Sequence, residues 1–175
     1  WNAVDGQDGG NDYFRGDCLY TKTLRKSELG EGEHYLEIRG ANSSADVYLN
    51  GQHLTHHDGG YSTWRVNITG EITDVTEIAV IVDNAPNGTV YPQMADFTFY
   101  GGIYRNVNLI AVNNTHFELD HYGTPGLKIT PAIDGTTAHV EVETWVVGMK
   151  EGQVLRYTLY DADENVVATV DSTET

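Results

Sequence analysis

Apolar and polar positions alternate with a period of two along most of the chain. Leu36 and Ile38, Val47 and Leu49, Ile78, Val80 and Val82, and Val107 and Leu109 each share one face of an extended segment, because successive side chains of a strand point to opposite sides. These segments predict half-buried β-strands. The sharpest turn signal is Asn50-Gly51, set between Asp46-Val47-Tyr48-Leu49 and Gln52-His53-Leu54. A type I′ turn needs positive φ at both central residues, and this dipeptide accepts it readily, so a hairpin is predicted here. No long window keeps a 3.6-residue apolar spacing free of Gly and Pro, so helices are expected to be short or absent. The expected fold class is all-β.

The texture shifts at Asn113-Asn114-Thr115, and four more strand-like runs follow, over residues 116–122, 137–147, 154–160 and 166–170. Two domains are expected, 1–112 and 113–175. An immunoglobulin-like sandwich takes about seven strands and about 100 residues, so the second domain is expected to be partial. Its Pro125-Gly126 and Asp134-Gly135 dipeptides read as turns, and Val140, Val142, Trp145 and Tyr157 as core.

Charge narrows the partners. Ten Lys and Arg stand against 26 Asp and Glu, a net charge of -16, which repels phosphate backbones and anionic head groups. No nucleic acid and no membrane partner is expected, whereas a neutral, hydroxyl-rich ligand meets no such barrier. No apolar run approaches the ~20 residues that cross a bilayer. With Cys18 alone, no intrachain disulfide can form. Asn42, Asn67, Asn87 and Asn113 each open an N-x-[ST] triplet, a glycosylation signal only in a secreted eukaryotic context and otherwise a chance occurrence.

Candidate chemistry is sparse. The acidic opening Asp5-Gly6-Gln7-Asp8-Gly9-Gly10-Asn11-Asp12 suggests calcium, but an EF-hand frame begun at Asp5 puts Gly16 where the bidentate Glu belongs, and one begun at Asp8 puts Leu19 there. A solvated loop is the better reading. His53, His56, His57 and Asp58 could be weighed as a transition-metal cluster; following a hairpin and leading into Gly59-Gly60, they read better as side chains pointing into water or into a neighbouring loop. No metal site is expected. No G-x-S-x-G elbow, G-x-G-x-x-G after a strand or Walker loop is present, so neither a Ser nucleophile nor a nucleotide cofactor is expected, and none of the residues is read as catalytic. Acid-base glycoside hydrolysis needs two carboxyl groups about 5–9 Å apart across a cleft, and abundance of acids alone does not supply that.

The most informative stretch is residues 91–107, Tyr91-Pro92-Gln93-Met94-Ala95-Asp96-Phe97-Thr98-Phe99-Tyr100-Gly101-Gly102-Ile103-Tyr104-Arg105-Asn106-Val107. Its aromatics beside Asp96 could form a sugar site, with rings stacking on C–H faces and a carboxylate accepting hydroxyl hydrogen bonds. The alternative is a core-lining crossover in which Gly101-Gly102 permits a close turn and Arg105 pairs with a structural carboxylate.

Residues 96–107 resemble the signature that closes the sugar-binding domain of family 2 glycoside hydrolases, the β-galactosidase and β-glucuronidase family. Residues 13–22 (Tyr13-Phe14-Arg15-Gly16-Asp17-Cys18-Leu19-Tyr20-Thr21-Lys22) are similar to its early strand, residues 39–51 to its central hairpin, and residues 120–126 to the start of the following domain. The resemblance implies a jelly-roll (galactose-binding-like) β-sandwich followed by a partial immunoglobulin-like β-sandwich. It further implies a (β/α)₈ barrel carrying two catalytic glutamates. Such a barrel takes about 250 residues and is not among these 175, so this chain alone is not expected to cleave sugars. The implied partners are carbohydrate, a β-galactoside or related glycoside, and the catalytic barrel of the parent chain. In the family, the Asp matching Asp96 reaches the active-site mouth and helps hold the non-reducing sugar, each charge-assisted hydrogen bond contributing about 1.5–3 kcal/mol. Asn11 and Asp12 lie in a loop that nears the active site in some relatives. The alternative is a free-standing lectin-like module.

Overall fold

The computed structural model describes residues 14–91 and 99–173. The chain divides into two compact units, Trp1–Ala111 and Val112–Thr175. The first holds a four-stranded antiparallel sheet in the order β1 (Asp17–Arg25), β7 (Val75–Asp83), β4 (Ser44–Leu49) and β5 (Gln52–Asp58). Opposite it lies a three-stranded sheet of β6 (Trp64–Asn67), β2 (Glu33–Ile38) and β9 (Val107–Val112). Two short strands, β3 (Ala41–Asn42) and β8 (Gly102–Ile103), pair with each other.

The alternation read from the sequence builds the core in β2, β4 and β7, but not in β9, where Val107 and Leu109 are exposed and Asn108 and Ile110 take the less exposed face. Leu36 and Ile38 from β2 pack with Val47 and Leu49 from β4 and with Ile78, Val80 and Val82 from β7, joined by Trp64 and Ile68. Fully burying one such aliphatic side chain contributes about 1.5–3 kcal/mol. Because a one-residue slip would turn a whole row of them to solvent, the pattern also fixes strand register. Asn50 and Gly51 take φ of 49° and 79°, as the hairpin reading requires, and the Asn50 side chain braces the turn by accepting from the Glu77 amide at 3.0 Å. Helical structure among the described residues is confined to two short 3₁₀ turns, Lys26–Glu28 and Thr69–Glu71. The fold is all-β.

Strand β2 departs from simple alternation, since residues on both of its faces are buried. Glu37 is only 6% exposed and is tolerated because Arg65 Nε donates to it at 2.7 Å and Asn108 Nδ2 at 2.8 Å. Burial alone would raise its carboxyl pKa, but these donors outweigh burial and hold it below the ordinary value.

The second unit is built from three antiparallel pairs: β10 (His116–Phe117) with β13 (Val146–Val147), β11 (Leu127–Asp134) with β12 (Thr137–Thr144), and β14 (Leu155–Tyr160) with β15 (Val166–Ser172). The run expected over 116–122 stops at Phe117, because Thr124 turns back onto the His121 carbonyl through its amide at 3.0 Å and its hydroxyl at 2.7 Å. Strand β11 escaped the sequence reading since Pro131 cannot donate to a ladder and demotes a segment to an edge at best; here Pro131 sits opposite Val140 on a two-stranded ribbon. The core reading of Val140 is corrected for the same reason: a ribbon cannot bury its own face, and Val140 stays 42% exposed. Trp145 stacks on His121 at 4.0 Å, and Tyr157 shares a 2.6 Å hydrogen bond with Thr144.

Candidate functional site

The loops on either side of residues 92–98 are fixed by polar side chains of the first unit. Past the end of β7, buried Asn84 accepts from the Gly16 amide at 2.9 Å and donates to the Phe14 carbonyl at 3.0 Å. Asp58, at the end of β5, then gathers the following loop. Its Oδ1 accepts from Ser44 Oγ at 2.8 Å and Asn87 Nδ2 at 3.0 Å, and its Oδ2 accepts from Thr89 Oγ1 at 2.6 Å. The hydrogen bonds from Thr89 and Ser44, with His56 adding to them, hold the Asp58 carboxyl down at about 2.

Beyond the segment, buried Asn42 donates from Nδ2 to the Tyr100 carbonyl at 2.8 Å. The glycine pair is required by close approach. A Cβ on Gly101 would lie 2.2 Å from Asn84 Nδ2, and one on Gly102, whose φ is 76°, 2.3 Å from the Tyr20 hydroxyl. Tyr104 donates from its hydroxyl to the Gly60 carbonyl at 2.6 Å. Arg105 Nη1 donates to the Tyr61 carbonyl at 3.0 Å and to the Arg39 carbonyl at 3.4 Å, and its guanidinium carbon lies 5.1 Å from the Tyr104 ring centroid. Arg105 therefore braces two loops through carbonyls, in place of the carboxylate partner expected from the sequence.

The histidine cluster is occupied by its neighbours. His53 Nε2 and His56 Nδ1 lie 2.8 and 3.0 Å from Asp46 Oδ1, while His56 Nε2 lies 3.2 Å from Asp58 Oδ1. Held between two carboxylates, with the Asp46 hydrogen bond the largest influence, His56 has its pKa raised. His57 stacks on Trp64 at 4.8 Å, and burial lowers its pKa. Among the described residues, no group of three or more His, Cys, Asp or Glu side chains converges in a metal-holding arrangement.

Asp96, Asn11 and Asp12, the residues singled out from the sequence for substrate contact, lie outside the described residues, as does the acidic opening over residues 5–12. What the sequence reading missed is the polar frame of Asp58, Ser44, Asn87 and Thr89. Its only trace was the Asn87-Gly88-Thr89 triplet, whose asparagine is engaged with Ser44 and Asp58. Asn42, which opens another triplet, is buried at 1% exposure and cannot carry a glycan.

Residues 11–113 match the family model described as glycosyl hydrolases family 2, sugar binding domain. The chain belongs to glycosyl hydrolase family 2. A β-glucuronidase of Bacteroides fragilis is 34% identical over 136 residues, covering 76% of this chain and 20% of that protein. A β-galactosidase of Thermoanaerobacter pseudethanolicus is 28% identical over 146 residues, covering 78% of this chain and 19% of that protein. Among solved structures, an FMN-binding β-glucuronidase from Facaelibacterium prausnitzii L2-6 superposes with a TM-score of 0.83 and 39% identity, over 98% of this chain and 27% of that one. The chain thus spans about a fifth of the length of the curated relatives it matches, and it carries the family's sugar-binding domain.

Proposed function

We propose that this chain is the non-catalytic, sugar-binding part of a retaining glycoside hydrolase of the β-galactosidase and β-glucuronidase type. It shapes the sugar subsite of a (β/α)₈ barrel belonging to the parent protein, which supplies both catalytic carboxyl groups. Asp96 is the principal contact to the sugar, with Asn11 and Asp12 in a supporting loop. The substrate is a β-linked hexoside, and a β-galactoside and a β-glucuronide are the two choices that the relatives' names favour.

The observation that carries this reading is the family match over residues 11–113, which spans Asp96 and both flanking loops. The geometry supports it further. Thr89 on one side and Tyr100 on the other are each tied by a side chain of the sandwich, Asp58 and Asn42 respectively. The test is to assay hydrolysis of p-nitrophenyl β-galactoside and β-glucuronide by the 175-residue chain and by the longer protein that contains it. Turnover by the longer protein alone is expected. Turnover by the isolated chain, or none by either, would contradict the proposal.

A further inference from the structure

Strand β1 ends the four-stranded sheet, with β7 on one side and no described strand on the other. All nine of its residues pair with β7 without a break in register, so the free edge is long and regular. Such an edge is a template for another strand unless a bulge, a proline or a charge blocks it. Strand β1 has neither bulge nor proline, and its Leu19 is 64% exposed.

The neighbours of β1 show which way its backbone groups point. One step past the strand, the Lys26 amide donates to the Asp74 carbonyl at 3.1 Å. Successive residues of a strand turn their N–H and C=O to alternate sides. Cys18, Tyr20, Lys22 and Leu24 therefore turn theirs toward β7, and Asp17, Leu19, Thr21, Thr23 and Arg25 turn theirs to the free edge. The phase of β7 agrees: its Glu77 and Asp83 carbonyls accept from the Asn50 and Ser43 amides, each at 2.9 Å, on the β4 side.

The sequence of this edge is its own complement. Set antiparallel to a second copy about a twofold axis at Thr21, Asp17 faces Arg25, Leu19 faces Thr23 and Thr21 faces Thr21. These are the residues whose amides and carbonyls point outward, so each facing pair can exchange both backbone hydrogen bonds. Opposite charges and Thr–Thr pairs directly across a sheet are stabilising, and the axis repeats the Asp17–Arg25 pair at both ends. On the other face Cys18 meets Leu24 and Tyr20 meets Lys22. A lysine within an edge ordinarily deters pairing; in this register it lies against a tyrosine ring instead of a second lysine. The strand carries one acid and two bases, which locally offsets the repulsion between chains of net charge -16. The far edge of the sheet, β5, lacks these properties. Its register against β4 skips Leu54, and self-pairing about Thr55 would set His53 against His57.

We infer that two copies of this chain associate through the β1 edge, antiparallel about Thr21, joining their four-stranded sheets into one. A twofold contact uses both β1 edges and closes at a dimer. The interface goes beyond the function proposed above and uses none of the residues assigned there.

In sedimentation equilibrium the 175-residue chain is expected to move from one chain to two across about 1–300 µM. In amide hydrogen exchange at the high end of that range, Leu19, Thr21 and Thr23 should gain protection, while Tyr20 and Lys22, already bonded to β7, should not change. Thr21→Lys sets like charges face to face on the axis and should weaken the dimer roughly tenfold or more. Asp17→Arg and Arg25→Asp should each weaken it roughly five- to fiftyfold. The two together should restore it, a recovery that misfolding cannot produce. The inference is overturned by a monomer throughout the range, by a dimer in which Leu19, Thr21 and Thr23 gain no protection, or by a double variant no tighter than the single ones. None of these outcomes bears on hydrolysis by the longer protein, so the two readings fail separately.

Discussion

Replacing Asp58 with Asn removes one charge and little volume from the point where strand β5 meets the loop 84–91. In the folded chain its carboxyl is held at about 2 rather than 3.8, which at 1.36 kcal/mol per pH unit corresponds to about 2.5 kcal/mol. The side chain is 32% open to water, so solvent screening reduces the expected loss to about 1–1.5 kcal/mol. For a unit of this size that lowers Tm by about 5–10 °C. The sign of the pH dependence follows from the depressed pKa: the stabilisation is present in full above the unfolded value of 3.8 and is lost as pH falls through about 2. Urea denaturation of both proteins at pH 7 and at pH 2 measures the effect. The difference at pH 7 should shrink to under about 0.5 kcal/mol at pH 2. A difference independent of pH, or none at pH 7, would refute Asp58 as the charged anchor of this loop.

Other perturbations probe separate parts of the account. Gly60→Ala drives a methyl group to 2.3 Å from buried Asn42 and should cost about 1–3 kcal/mol in thermal or urea unfolding; a neutral result would mean the loop is not seated on Asn42. Glu37→Ala removes the carboxylate that Arg65 and Asn108 share and should destabilise the sandwich by about 3–5 kcal/mol, read from the urea midpoint. In an NMR titration of the imidazoles, His56 should titrate above the ordinary 6.5 and His57 below it. Any stability that His56 contributes is therefore present below 6.5 and lost as pH rises through its raised pKa, and the reverse order of the two residues would contradict the carboxylate pair around His56.

The parts of the fold legible in the sequence are those where one physical effect dominates. Burial of one strand face wrote the alternation at Val47 and Val80, and the steric demand of positive φ wrote Asn50-Gly51. Where effects compete, the sequence was opaque. Pro131 hid β11, because a missing amide argues against a strand until the pairing with Val140 is known. Glu37 is charged yet buried because two donors from other strands meet it, and no local pattern announces partners 28 and 71 residues away. The candidate site divides in the same way. Gly101-Gly102 was readable as a close turn, whereas the clasp of Asp58 on Ser44, Asn87 and Thr89 joins residues that carry no periodicity and meet only after the strands have paired.

The central claim is that this domain lends a carboxylate to a sugar subsite of the parent hydrolase, and the kinetics of Asp96→Asn in the longer protein test it most directly. Loss of one charge-assisted hydrogen bond of about 1.5–3 kcal/mol should lower kcat/KM on the preferred β-glycoside by roughly ten- to a hundredfold, with the fold of the 175-residue chain unchanged. A kcat/KM equal to that of the unaltered protein would contradict the account.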